Sequence, residues 1–300
     1  MKYALNHLSL QAAWGGVLLL VLSLLPVDNH AATRASGASA GMAEVNGTRL
    51  HYETAGKGSD LVLIHGGLAD SRLWDEQFKE FAKRYRVIRY DLRGFGKSDF
   101  PAVPFSHVED LYALLKFLKV ERAALVGLSL GGMIAADFTL EHPEMVQSLV
   151  LTSSGLRGFK SPRSERTVAI YKAAETEGRE RAIEMWLDHP FFSTGKSNPA
   201  YRRRMQRMLA DNFRFWGPTK EPIIVNWPKP PTNDRLAQIS KPVIIIVGDE
   251  DDKNILNVAD TLAAKISGAS KVVMRGVSHH LNMEKPKEFN KIVLKFLSAK

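Results

Sequence analysis

The sequence predicts an α/β fold: a mostly parallel, doubly wound sheet of about eight strands, covered by helices on both faces and interrupted by an inserted helical lid. Three observations lead there. Short apolar runs of strand length recur along the chain, with helical periodicities between them. The runs are continuous rather than alternating, as expected for strands buried on both faces. One stretch, residues 156–235, breaks the pattern with helical segments and no buried strand.

The first forty residues differ from the rest. Lys2 and the amino terminus precede an uncharged, largely apolar run from Ala12 to Leu25, which Pro26 ends. Small residues follow, including Ala31-Ala32 and Ala38-Ser39-Ala40. This is the order of a secretory signal, with cleavage after Ala31, Ala32 or a later alanine. The run falls short of a comfortable membrane span of about 20 residues. An uncleaved anchor and a buried helix are the competing readings. Residues 1–40 are therefore set apart as signal and short linker. The expected location is the periplasm or the exterior, with a membrane-anchored protein as the alternative.

The core is expected over 41–155 and 236–300. Glu44–Tyr52 reads as a hairpin around Asn46-Gly47, a pair suited to a type I′ turn. Strands are expected at Leu61–Ile64, Val87–Tyr90, Ala123–Leu128, Ser148–Thr152, Val243–Val247 and Val272–Met274. Between them, Trp74, Phe78 and Phe81 share a helical face. Ser106 and Glu109 form a capping box ahead of Leu111, Leu114, Leu115 and Leu118. Met133, Ala136 and Leu140 line another helix, and Phe289, Ile292, Val293 and Phe296 a last amphipathic one.

Composition excludes several classes. The 300 residues contain no cysteine, so disulfides, thiolate metal sites and a cysteine nucleophile are ruled out. The nine histidines show no metal-ligand spacing, and no metal or cofactor is expected. The formal charge is +9, and residues 156–235 carry 16 Lys and Arg against 9 Asp and Glu. Arg202-Arg203-Arg204 with Arg207 read either as a solvated helix face or as an attractor for an anionic substrate or an acidic envelope surface. No nucleic-acid-binding motif is present.

Chemistry concentrates in Gly127-Leu128-Ser129-Leu130-Gly131, a G-x-S-x-G pattern that ends an expected strand and opens an expected helix. Such a turn needs glycine where side chains would collide. It lifts the Ser129 hydroxyl above the sheet and aims a helix N-terminus at developing negative charge. A serine nucleophile needs a base, and the base an orienting acid. The acid is sought in Gly248-Asp249-Glu250-Asp251-Asp252, after the strand that follows the insertion. The base is sought in Gly276-Val277-Ser278-His279-His280. The order Ser, Asp, His suits this sheet type. One oxyanion donor is the N–H of Leu130; the other comes from the loop after Leu61–Ile64.

These residues resemble the α/β-hydrolase fold family. Leu63-Ile64-His65-Gly66-Gly67, Asp91–Ser98, the Ser129 turn, Gly248–Asp251 and the His279 loop match in order, over residues 44–298. The chain is most similar to single-lid esterases, enol-lactonases such as those acting on 3-oxoadipate enol-lactone, and cofactor-free haloperoxidase-like serine hydrolases. The resemblance implies Asp251 as the acid, with Asp249 and Asp252 as loop carboxylates. It implies His279 as the base, with His280 beside it, and Gly67 as the second oxyanion donor. Gly276, His279, Glu284 and Pro286 fit the family's last loop, but Ser278 replaces its usual second glycine. His65, Asp91 and Arg93 read as structural.

The implied activity is hydrolysis of a carboxylic ester or lactone through an acyl-enzyme on Ser129. Carbon–carbon bond hydrolysis and perhydrolysis use the same triad. A ligand-binding receptor with a vestigial triad is the alternative of another class. Dehalogenases and epoxide hydrolases place Asp at the elbow, where this chain has Ser129. Trp186, Phe191, Phe192, Phe213, Trp216 and Trp227 either line an acyl pocket or pack the lid.

Overall fold

The computed structural model describes residues 37–160 and 164–299. The apolar run and cleavage zone assigned to an export signal lie outside the described residues, apart from its last alanines. Among the described residues no helix is long and apolar enough to cross a membrane.

Eight strands form one sheet. The hairpin strands are β1 (Ser39–Val45) and β2 (Thr48–Ala55); β3 (Asp60–Ile64), β4 (Arg86–Tyr90), β5 (Ala123–Leu128), β6 (Val146–Thr152), β7 (Val243–Gly248) and β8 (Ser270–Met274) follow. Asn46 and Gly47 both take positive φ, 49° and 69°, as a type I′ turn requires. β1 begins at Ser39, two residues before the expected start of the core. It pairs with the far end of β2, and the Ser39 and Thr54 hydroxyls meet at 2.7 Å.

The strand order is β1-β2-β4-β3-β5-β6-β7-β8, antiparallel at β1–β2 and β2–β4 and parallel elsewhere. The chain leaves β3 for β4 on one side and then crosses to β5 on the other. The strand order therefore reverses at β3, and in open parallel sheets ligands bind beyond the carboxyl ends of the strands at such a switch point.

Alternate residues of the central strands feed two cores. Leu61, Leu63, Val126, Leu128, Ile244 and Ile246 pack with Trp74, Phe81, Phe289 and Val293. These come from α1 (Asp75–Phe81), the turn before it, and the C-terminal helix. Val62, Ile64, Leu125, Leu149, Ile245 and Val247 face the other way, onto α2 (His107–Phe117) and α3 (Leu130–Glu141) through Leu111, Leu114 and Phe138. Burial of each large side chain contributes roughly 1.5–3 kcal/mol, so both faces are held in register by the period-two pattern. The Ser106 hydroxyl caps α2 by accepting the Glu109 N–H at 3.3 Å.

Between β6 and β7 the chain forms α4 (Glu165–Thr176), α5 (Arg179–Leu187), α6 (Pro199–Asp211) and α7 (Phe213–Trp216). Ser164 caps α4, and Asn198 caps α6 ahead of Pro199 at its first position. Ile170, Ile183, Trp186, Met205, Leu209 and Trp216 join the first core. After β7 come α8 (Lys253–Lys265), β8, a short α9 (Leu281–Glu284) and α10 (Pro286–Ser298).

Candidate active site

Ser129 sits between β5 and α3 with φ 53° and ψ −110°. That region is strained for any residue but glycine, at a cost of about 1–3 kcal/mol, and persists only where surroundings enforce it. They do so here. The Ser129 N–H donates to the Thr152 carbonyl at 3.0 Å, and its own carbonyl accepts from Met133 and Gly155. A Cβ on Gly127 would lie 2.3 Å from the Gly131 carbonyl oxygen, and one on Gly131 2.1 Å from that of Ile64. Only glycine lets the helix start this close to two strands.

The loop after β3 comes against this turn. A Cβ built on Gly66 would be 3.4 Å from the Ser129 Cβ, and one on Gly67 3.9 Å from the Leu130 side chain. Gly67, Leu130 and Ser129 are each half-buried. The structure therefore brings the two expected oxyanion residues together beside the serine. Leu130 opens α3, whose first-turn N–H groups have no partner within the helix.

The acid loop separates its three aspartates by task. Asp251 is buried, and its two carboxylate oxygens lie 3.0 and 3.1 Å from His279 Nδ1. Asp249 accepts the Gly276 N–H at 2.6 Å and so ties the turn after β8. Asp252 caps α8 through the Asn254 N–H at 2.9 Å. The neighbouring histidines also diverge. His279 carries the carboxylate contact. His280 Nδ1 instead meets the Tyr201 hydroxyl of α6 at 2.9 Å. Burial, with the adjacent His279, pushes the His280 imidazole down to about 3.

His65 is a brace. Its Nε2 accepts the Leu92 N–H at 2.9 Å, leaving Nδ1 to donate to the Gly66 carbonyl at 2.8 Å. Burial lowers its pKa. Asp91 accepts from the N–H groups of Ser71 and Lys97 and is ionised well below the usual carboxylate range, held there by His51, by His65 and by those N–H donors despite its burial. Arg93 makes a forked contact with buried Asp110 at 2.5 and 2.9 Å. The Asp91–Ser98 loop is thus a buttress behind the β3 loop.

Two partners of the base loop have no signal in the sequence. Thr194 bonds to Ser278 across 84 positions, and Tyr201 to His280 across 79. The six aromatic candidates separate. Phe191 stacks on the His279 ring at 4.1 Å, and Trp186 stacks behind Phe191 at 6.4 Å. Phe192 meets His280. Trp227 packs against His107 and Arg157 instead. Two arginines of α6 form ion pairs: Arg204 with Asp75 and Glu76, and Arg202 with Asp188. Among the described residues no group of three or more His, Cys, Asp or Glu gathers as a metal site.

The family model described as the alpha/beta hydrolase fold matches residues 61–286, from β3 into α10, and the chain belongs to that family. It is an enzyme of the hydrolase type. A 2-hydroxy-6-oxononadienedioate/2-hydroxy-6-oxononatrienedioate hydrolase of Burkholderia vietnamiensis is 29% identical over 266 residues, 83% of this chain and 91% of that one. Among solved structures, an N-acyl homoserine lactone degrading enzyme superposes with a TM-score of 0.69 at 28% identity, covering 85% of this chain and 100% of the other. A bromoperoxidase from Bacillus anthracis gives 0.71 at 25% identity, with 87% and 100% covered.

Proposed function

We propose that the protein hydrolyses a carboxylic ester or lactone through an acyl-enzyme on Ser129, with His279 as base and Asp251 as its orienting acid. The observation that carries this reading is the strained Ser129 elbow on the same sheet edge as a buried Asp251–His279 pair. Ser129 Oγ attacks the carbonyl carbon while His279 Nε2 takes its proton. Asp251 fixes the tautomer by accepting from Nδ1. The N–H groups of Leu130 and Gly67 receive the oxyanion, each worth roughly 10²–10³ in rate. Protonated His279 returns its proton to the leaving alkoxide. It then takes a proton from water, which attacks the acyl-enzyme, and passes that proton to Ser129 Oγ as the acid departs, which restores the free serine and the neutral imidazole.

The half-buried Phe191 on the His279 ring supports an apolar wall for the acyl group, and we read the insertion as a lid over it. The ion pairs of Arg202 and Arg204 argue against their serving as a receptor for an anionic substrate group. Carbon–carbon cleavage of a 2-hydroxy-6-oxo acid is the second reading, favoured by the relative similar over 83% of the chain. We also propose export, on the segment order of residues 1–40; N-terminal sequencing of secreted material tests it, and an intact Met1 on a membrane-bound protein would speak for an anchor. The hydrolytic proposal is tested by Ser129→Ala. Turnover of p-nitrophenyl esters should fall by at least about 10³ with the fold unchanged. Undiminished turnover would sink it.

A further inference from the structure

Four donors converge on the carboxylate of Glu284. The Ser278 N–H, at 2.8 Å, and the Ser278 hydroxyl, at 2.9 Å, come from one side of His279. The His280 N–H, at 3.2 Å, comes from the other. The fourth donor is the hydroxyl of Thr194, which belongs to the insertion. The Ser278 N–H also forks to Thr194 Oγ1 at 2.9 Å, and the two hydroxyl oxygens lie 3.0 Å apart. Three residues before Thr194, Phe191 stacks on the His279 imidazole with ring planes 14° apart.

We infer that Glu284 and Thr194 are positioning residues for His279: one carboxylate holds the two residues flanking the base, and Thr194 fastens the insertion to that carboxylate. The inference rests on His279 being the base. The sheet alone supplies one contact to the imidazole, from Asp251 to Nδ1, and a single contact leaves the ring free to swing about it. The Glu284 cluster fixes the backbone from which the ring projects. The Pro190–Phe192 turn, anchored by Thr194, lays Phe191 flat on the ring face. Displacing a base by about 1 Å costs on the order of 10²-fold in rate, so a loosened anchor registers in kcat. Ser278 gives the link a feature of this chain, since the related pattern has a glycine there and glycine carries no hydroxyl.

Thr194→Val removes the hydroxyl and keeps the shape; Thr194→Ser restores it. Each variant is assayed in the full-length protein with a p-nitrophenyl ester, alongside Ser129→Ala. We expect Thr194→Val to lower kcat about tenfold while KM moves less than about twofold. The downfield proton resonance of His279 Nδ1–H should broaden in Thr194→Val, and Thr194→Ser should recover both the resonance and most of kcat. An unchanged kcat in Thr194→Val, a loss confined to KM, or a loss that Thr194→Ser leaves in place overturns the inference. An inactive Ser129→Ala beside a fully active Thr194→Val overturns only the positioning role. Turnover surviving in Ser129→Ala removes the serine mechanism in which His279 is the base, and this inference with it.

Discussion

The sheet edge that carries Ser129, Asp251 and His279 and the insertion that follows β6 hold their parts in place by different means. At the edge, geometry is imposed by backbone: a glycine-only approach of α3 to β3, a serine at φ 53°, and an acid loop in which neighbouring aspartates have separate partners. The insertion is held by aromatic packing and by exposed ion pairs such as Arg181 with Glu177 and Glu184. Exposed pairs contribute little, with a median of about 0–1 kcal/mol. The edge is therefore a frame set by backbone, and the insertion a layer packed into the first core and bonded to the His279 loop through Thr194 and Tyr201.

The largest expected effect separates three aspartates within four residues. Asp251→Asn should lower kcat on ester substrates by on the order of 10⁴, because the amide holds the wrong imidazole tautomer. Asp249→Asn and Asp252→Asn should stay within about tenfold, since Asp249 braces the turn after β8 and Asp252 caps α8, and neither bonds to the imidazole. Equal losses in all three variants would dissolve the distinction between the acid and its neighbours.

A smaller effect concerns two buried histidines outside the insertion. His107, beneath the sheet, and His280, under α6, are both pushed down to about 3, chiefly by burial. Each is neutral in the folded state, whereas the unfolded chain takes up a proton near pH 6.5. Their stabilising contribution is complete above about pH 6.5 and is lost as pH falls toward 3, by up to about 1.4 kcal/mol per pH unit for each histidine. Calorimetry from pH 7 to pH 4 should show the midpoint falling. His280→Phe should flatten that slope; an unaltered slope would mean that His280 is not neutral in the folded state.

The same division explains what the sequence discloses. The strands were legible because burial on both faces leaves continuous apolar runs, as in Val243–Gly248. Ser129 was legible because its turn demands glycines at fixed spacing. Asp251 and His279 needed more: the residues alone leave three aspartates and two histidines open, and family resemblance chose among them. In the structure Asp251 contacts His279, and His280 turns to Tyr201. Contacts from the insertion were not legible. Thr194, in a turn, and Tyr201, in α6, lie 84 and 79 positions from their partners, and a local pattern reports at most which face is buried. The start of β1 at Ser39 was also hidden, because small residues there read equally well as a cleavage zone.

The most direct test of Ser129 as an activated nucleophile is its reaction with a fluorophosphonate probe, followed by peptide mapping. One covalent phosphonyl adduct is expected, on Ser129, forming rapidly in the wild-type protein and much more slowly in His279→Ala. An adduct on a different serine, or none, would contradict it.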